Sequence, residues 1–205
     1  MEDLKKYFYD YILKPISCIV YTQRIYKDFQ RTCLSLKFYE DSFTHFIDKI
    51  YYKTMITDLC RLLDKPKKKD DKTFQGFIEL FKEKESEIID ERKKVKVVNL
   101  DSGDTENIDV SSAIKHDFDK VKHDEKIKEL ESSFELFRQY RNKVNCHQTS
   151  EVVSKPTNEQ IDRTVSILED LLQIYAKLFG IHLLSVIPNP VYKNPPFKAL
   201  FSQRP

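Results

Sequence analysis

The stretch TNEQIDRTVSILEDLLQIYAKLFG, from Thr157 to Gly180, sets the class of structure to expect. Ile161, Val165, Leu168, Leu171, Leu172, Tyr175 and Leu178 recur at intervals of three and four, the spacing that gathers apolar side chains on one face of a helix. Thr157 and Gln160 stand three apart at its start, as a capping box requires, and Gly180 supplies a residue that tolerates the left-handed turn ending a helix. The spacing predicts one amphipathic helix with a defined start and stop.

The same periodicity runs upstream. A first helical segment, about Asp3 to Phe29, carries Leu4, Tyr7, Phe8, Tyr11 and Ile12, with Pro15 kinking it or starting a second helix. Asp41 or Ser42 can cap a helix running to about Leu63, with Phe43, Phe46, Ile47, Ile50, Tyr51, Met55, Leu59 and Leu62 expected inward. Thr73 caps a third, about Phe74 to Lys93, that turns Phe77, Ile78, Phe81 and Ile88 inward. Between residues 95 and 110 the pattern changes to Val-Lys-Val-Val-Asn-Leu, a turn at Asp101-Ser102-Gly103-Asp104, then Ile108 and Val110, which suits a small hairpin or an ordered loop. A long polar helix, about Ser112 to Val144, gains an apolar face only at Leu130, Phe134, Phe137 and Val144. The expectation is an all-α bundle over residues 1–187, followed by a tail over 188–205 in which Pro188, Pro190, Pro195 and Pro196 forbid a helix.

Composition excludes more than it selects. A chain of 205 residues suits one domain with a full core. Its formal charge of +2 balances 35 basic against 33 acidic side chains, so attraction to nucleic acid has to come from local patches. Lys65, Lys67, Lys68, Lys69 and Lys72 form one group, Lys93, Lys94 and Lys96 another; a solvated charged loop is the ordinary reading of both. Cys18, Cys33, Cys60 and Cys146 lack the paired short spacing of a zinc ribbon, and no cleavable signal peptide precedes them, which points to a reduced, cytoplasmic protein. No apolar run is long enough to span a bilayer. Neither a glycine-rich phosphate loop nor a Gly-x-Ser-x-Gly elbow occurs, which disfavours ATP hydrolysis and serine hydrolase chemistry.

The chemistry concentrates in Tyr140-Arg141-Asn142-Lys143-Val144-Asn145-Cys146-His147. A histidine with an ordinary pKa near ~6.5 can exchange a proton with a ribose 2′-hydroxyl, and a planar guanidinium can grip a phosphate through two parallel hydrogen bonds. Asn142 could hold either in place. At about 100° per residue, Arg141 and His147 lie on different faces of a continuous helix, so the helix has to end inside the motif for them to meet. Cys146 beside His147 is not a nucleophile pair, because adjacent side chains diverge.

Arg141-Asn142, four residues and His147 resembles the Arg, polar, four-spacer, His signature of HEPN domains, helical proteins that include many prokaryotic ribonuclease toxins. Upstream, Tyr51-Tyr52-Lys53-Thr54-Met55-Ile56-Thr57-Asp58-Leu59-Cys60-Arg61-Leu62-Leu63-Asp64-Lys65 is similar to the aromatic-rich helix ending in Leu-x-Arg-Leu-x-Asp of the AbiU2-like branch. The resemblance implies a homodimer whose two motifs face each other across a cleft and cut RNA without a metal or cofactor. It assigns His147 as general base or acid, Arg141 as ligand of the scissile phosphate and Asn142 as orienting group, with Tyr140 and Lys143 as RNA contacts. An antitoxin protein is a further implied partner. Some branches are controlled by modification of a tyrosine just beyond the motif; His147-Gln148-Thr149-Ser150-Glu151 contains none.

Two rivals stand beside this reading. His116, Asp119 and His123 would share a helix face and could offer a metal two imidazoles and a carboxylate, although so charged a run is ordinarily a solvated face. A non-catalytic helical module that binds a protein or RNA partner is the other. His45 and His182 are expected to be packed or capping residues.

Overall fold

A computed structural model describes residues 2–36, 42–64, 72–98, 105–109, 118–142 and 154–179, with the backbone alone at 91–98 and 105–109. The chain is an all-α bundle carrying one small hairpin. Helix α1 (Glu2–Tyr7) passes through a π-helical stretch, Phe8–Leu13, into α2 (Lys14–Leu36). Then come α3 (Ser42–Leu63), α4 (Phe74–Lys93), strands β1 (Lys94–Val98) and β2 (Thr105–Asp109), α5 (Lys120–Tyr140) and α6 (Asn158–Phe179). The strands pair antiparallel from Lys94 opposite Asp109 to Val98 opposite Thr105; the turn expected between them lies outside the described residues.

Pro15 does not end the first helical run. It has no N–H to give the carbonyl one turn back, and its ring crowds that carbonyl. The wider π-type turn ends two residues before it, which lets the run continue to Leu36.

Helices α2, α3, α5 and α6 close a ring, with α2 packed on α3 and α6, and α5 on the same two. Helix α4 lies against α1, the π-helical stretch, α3 and α6. The centre is aromatic: Phe8, Phe77, Phe81 and Tyr175 pack ring against ring at centroid distances of 4.9 to 6.2 Å. Polar ties fix how the helices sit, with Gln23 donating to Asp162 at 2.6 Å, Arg24 paired with Glu169 at 2.5 Å, and Tyr26 donating to Asp48 at 2.7 Å.

Two helix starts carry the caps read from sequence. Thr157 N–H donates to Gln160 Oε1 at 2.8 Å and Gln160 N–H to Thr157 Oγ1 at 3.2 Å, a reciprocal capping box. Thr73 Oγ1 accepts from Gly76 N–H at 3.1 Å. Two expectations fail. Phe43, Phe46 and Ile50 were expected inward but are exposed, Phe46 by 57%. Apolar and polar side chains are mixed around α3, so its spacing cannot say which stripe the bundle takes; of the expected residues Tyr51, Met55, Leu59 and Leu62 are buried, joined by Ile56, Cys60 and Leu63. The long polar helix does not run unbroken from about Ser112 either: Asp119 is extended and caps a helix that starts at Lys120, accepting from the N–H groups of Val121 and Lys122.

Candidate functional site

The two stretches that carry the resemblance meet at one corner of the bundle. The amide of Asp64 donates to Cys60 O at 2.9 Å, which carries the last turn of α3 one residue further and fixes that carboxylate. At the end of α5, Arg141 and Asn142 continue in π-type conformation, and the Arg141 amide is shared between the carbonyls of Arg138 and Phe137. Arg141 Nη1 lies 2.8 Å from Asp64 Oδ2, and Nη2 lies 3.4 Å from Oδ1. Arg141 Nε donates to Asn142 Oδ1 at 3.1 Å. The guanidinium is thus held on two edges, with 21% of its side chain and 33% of that of Asp64 exposed.

This arrangement has a chemical consequence. A planar, permanently charged group locked by a carboxylate and an amide loses little side-chain entropy when it meets an anion. The same carboxylate repels an incoming phosphate and competes with it for the guanidinium. Asp64 therefore both orients Arg141 and sets how hard an anion must compete to reach it. Glu135, one turn back on α5, holds Arg138 and Gln139.

Tyr140 is half-buried rather than presented to solvent. Its ring meets Tyr52 edge to face at 5.8 Å. The Tyr52 hydroxyl donates to Pro156 O, and Lys155 Nζ sits 4.2 Å from the centre of the Tyr52 ring. Burial, with Tyr140 adjacent, pushes the Tyr52 phenol well above its ordinary pKa, so it stays a proton donor. Lys155 has no place in the sequence reading, and Tyr52 and Asp64 stand in the stretch that carries the resemblance without a role of their own; the polar end of an aromatic-rich helix was the available signal. Lys143 and His147 lie outside the described residues.

The metal alternative loses two of its three members to structural tasks. Asp119 is the cap of α5, and His123 is buried with 1% exposure. His123 Nε2 lies 2.7 Å from Tyr175 Oη and Nδ1 lies 3.2 Å from Asp124 Oδ1. The solvated face expected for His123 is therefore a correction: the imidazole belongs to the core. His116 and His182 lie outside the described residues, and His45 is exposed, not packed. Among the described residues no cluster of three or more metal-ligating side chains forms, and no helix is long and apolar enough to cross a membrane. Phe134 and Phe137, apolar at the end of a polar helix, are spent on the subunit's own core.

The fold and this corner define a helical bundle with an arginine-centred polar site. No family model, no curated protein and no solved structure matches the chain.

Proposed function

We propose that the chain is a metal-independent endoribonuclease of the HEPN type, close to the AbiU2-like branch, acting as a cytoplasmic homodimer of the toxin or phage-defence class. The observation that carries this reading is the Arg141–Asp64 contact. Two stretches that resemble the same family from separate parts of the sequence end within hydrogen-bond reach of one another.

In this mechanism His147 takes the proton of a ribose 2′-hydroxyl and the freed oxygen attacks the adjacent phosphorus. Arg141, oriented by Asp64 and Asn142, stabilises the charge that builds on the phosphorane oxygens. The 5′-oxygen departs with a proton, leaving a 2′,3′-cyclic phosphate. Tyr140 and Lys143 flank the strand. An antitoxin protein that covers this corner would silence it. Since Phe134 and Phe137 are internal, a second copy has to meet other surface, and exposed Phe46 and Ile50 on α3 are apolar candidates.

Purified protein with RNA oligonucleotides and their counterparts carrying a single 2′-deoxyribose at the scissile position tests the proposal. Cutting should survive EDTA, stop at the deoxy position, and vanish in His147→Ala and Arg141→Ala. Cleavage that persists in both variants would overturn it.

One observation favours the second reading, a binding module without catalysis: Arg141 is already engaged by an acidic partner, as a purely structural clasp would be. Such a module should hold its RNA or protein partner unchanged in His147→Ala.

A further inference from the structure

A cavity of about 320 Å³ opens beside the π-helical stretch, between α2, the last turns of α3 and the start of α4. Its walls combine three features of a small-ligand site. Phe74 and Tyr11 bring aromatic surface, the first buried and the second half exposed. Pro15, Ile19 and Leu62 add an apolar lining, and Asp58, Arg61 and Lys72 bring charge. Arg61 is exposed, and Arg61 and Asp58 form no ion pair with one another or with any other described residue, unlike the other charged pairs of the bundle. Lys72 Nζ lies over the neighbouring Tyr7 ring at 4.8 Å, a contact that leaves its charge unneutralised.

We propose that this cavity binds a nucleoside monophosphate unit, with its phosphate on Arg61 and Lys72, its base against Tyr11, and its ribose hydroxyls donating to Asp58. Three physical points select that class. Two cations against one carboxylate leave a single surplus positive charge, which suits one phosphate better than a polyphosphate. The volume sits at the low end of the ~300–1,000 Å³ typical of ligand pockets, where a mononucleotide fits and a dinucleotide does not. A flat aromatic side chain near a cation pair matches a flat base near its phosphate, whereas an aliphatic acid would leave Asp58 without a donor.

The site is distinct from the Arg141 corner and does not depend on the cleavage reading. The two nevertheless share the last turn of α3, since Arg61 lines the cavity and Asp64, three residues on, holds Arg141. A free nucleotide and one unit of an RNA strand present the same chemistry to it.

Isothermal calorimetry of the full chain with AMP, CMP, adenosine and inorganic phosphate tests the assignment, with a short single-stranded RNA as a separate arm. The nucleotides should bind, and adenosine and phosphate should bind at least about tenfold more weakly. Arg61→Ala should weaken nucleotide binding about tenfold or more, as should Lys72→Gln, with circular dichroism unchanged because both side chains are exposed. Cys18 lines the cavity and is exposed, so a maleimide probe should label it more slowly when AMP is present, in a Cys146→Ser background. RNA that binds more tightly than AMP, and loses that margin in Arg61→Ala, would mark the strand as the source; equal affinity would mark the free nucleotide. No binding at millimolar nucleotide, or binding unaffected by both substitutions, overturns the proposal. Neither result bears on cleavage, which is read separately with His147→Ala.

Discussion

Replacing Tyr175 by Phe isolates the buried histidine at the centre of the bundle. The substitution removes one oxygen and leaves the ring in its contacts with Phe8, Phe77 and Phe81. Burial drives the Tyr175 phenol far above its ordinary pKa, so its hydroxyl stays protonated and donates to His123 Nε2, while His123 Nδ1–H donates to Asp124. Without the hydroxyl, Nε2 is a buried acceptor with nothing to accept from. Such an orphan costs about 1–3 kcal/mol, and for a chain of this length each kcal/mol moves the melting temperature by about 2–4 °C. A drop of about 2–12 °C is expected at pH 8 by circular dichroism. The pH dependence follows from the same burial, which outweighs the Asp124 carboxylate and lowers the His123 pKa below its ordinary value. Above ~6.5 the imidazole is neutral in folded and unfolded chains alike. As pH falls below that, the unfolded chain takes a proton the folded chain resists, so stability declines with acid until pH passes below the folded pKa. His123→Gln should flatten that acid slope. A Tyr175→Phe protein that melts within about 1 °C of the parent would refute the account of His123 as a hydrogen-bonded core residue.

Three further outcomes follow from the geometry. Asp64→Asn should change stability by no more than about 1 kcal/mol, because the pair is partly exposed, yet alter RNA cleavage severalfold by loosening Arg141; urea melts and single-turnover assays read the two effects. Gln160→Ala should cost roughly 0.5–2 kcal/mol through loss of half the capping box, and amide exchange should show fraying confined to the first turn of α6. Phe46→Glu should leave monomer stability within about 0.5 kcal/mol, since the side chain is exposed, while shifting any dimer that uses α3 toward monomer in light scattering.

The elements whose spacing was plain to read are those with one apolar stripe and chemical punctuation at both ends. Helix α6 carries its own capping box, and only one of its faces is apolar, so local rules and packing agree on the same stripe; Gly180, read as its stop, lies outside the described residues. Helix α4 is similar, with Thr73 in front of it. Helix α3 is different: apolar on several faces, it could have buried Phe46 or Tyr51, and only the positions of α2 and α5 select Tyr51, stacked on Tyr26 at 3.5 Å. His123 was hidden for the opposite reason. It sits in a charged run, and what draws it inward is a hydroxyl 52 residues away on α6, a partner no local pattern contains.

The candidate corner divides along the same line. Arg141 and Asn142 stood out in sequence only by residue type and by the spacing to His147, since a cation and an asparagine are also ordinary at a helix C-terminus. That Asp64 meets this arginine is a matter of long-range placement, across 77 residues of chain. Periodicity and capping are properties of neighbours in sequence and can be read one turn at a time. Ion pairing across helices, and the choice among equivalent apolar faces, depend on how the helices assemble, which is why those two features emerge only from the packed bundle.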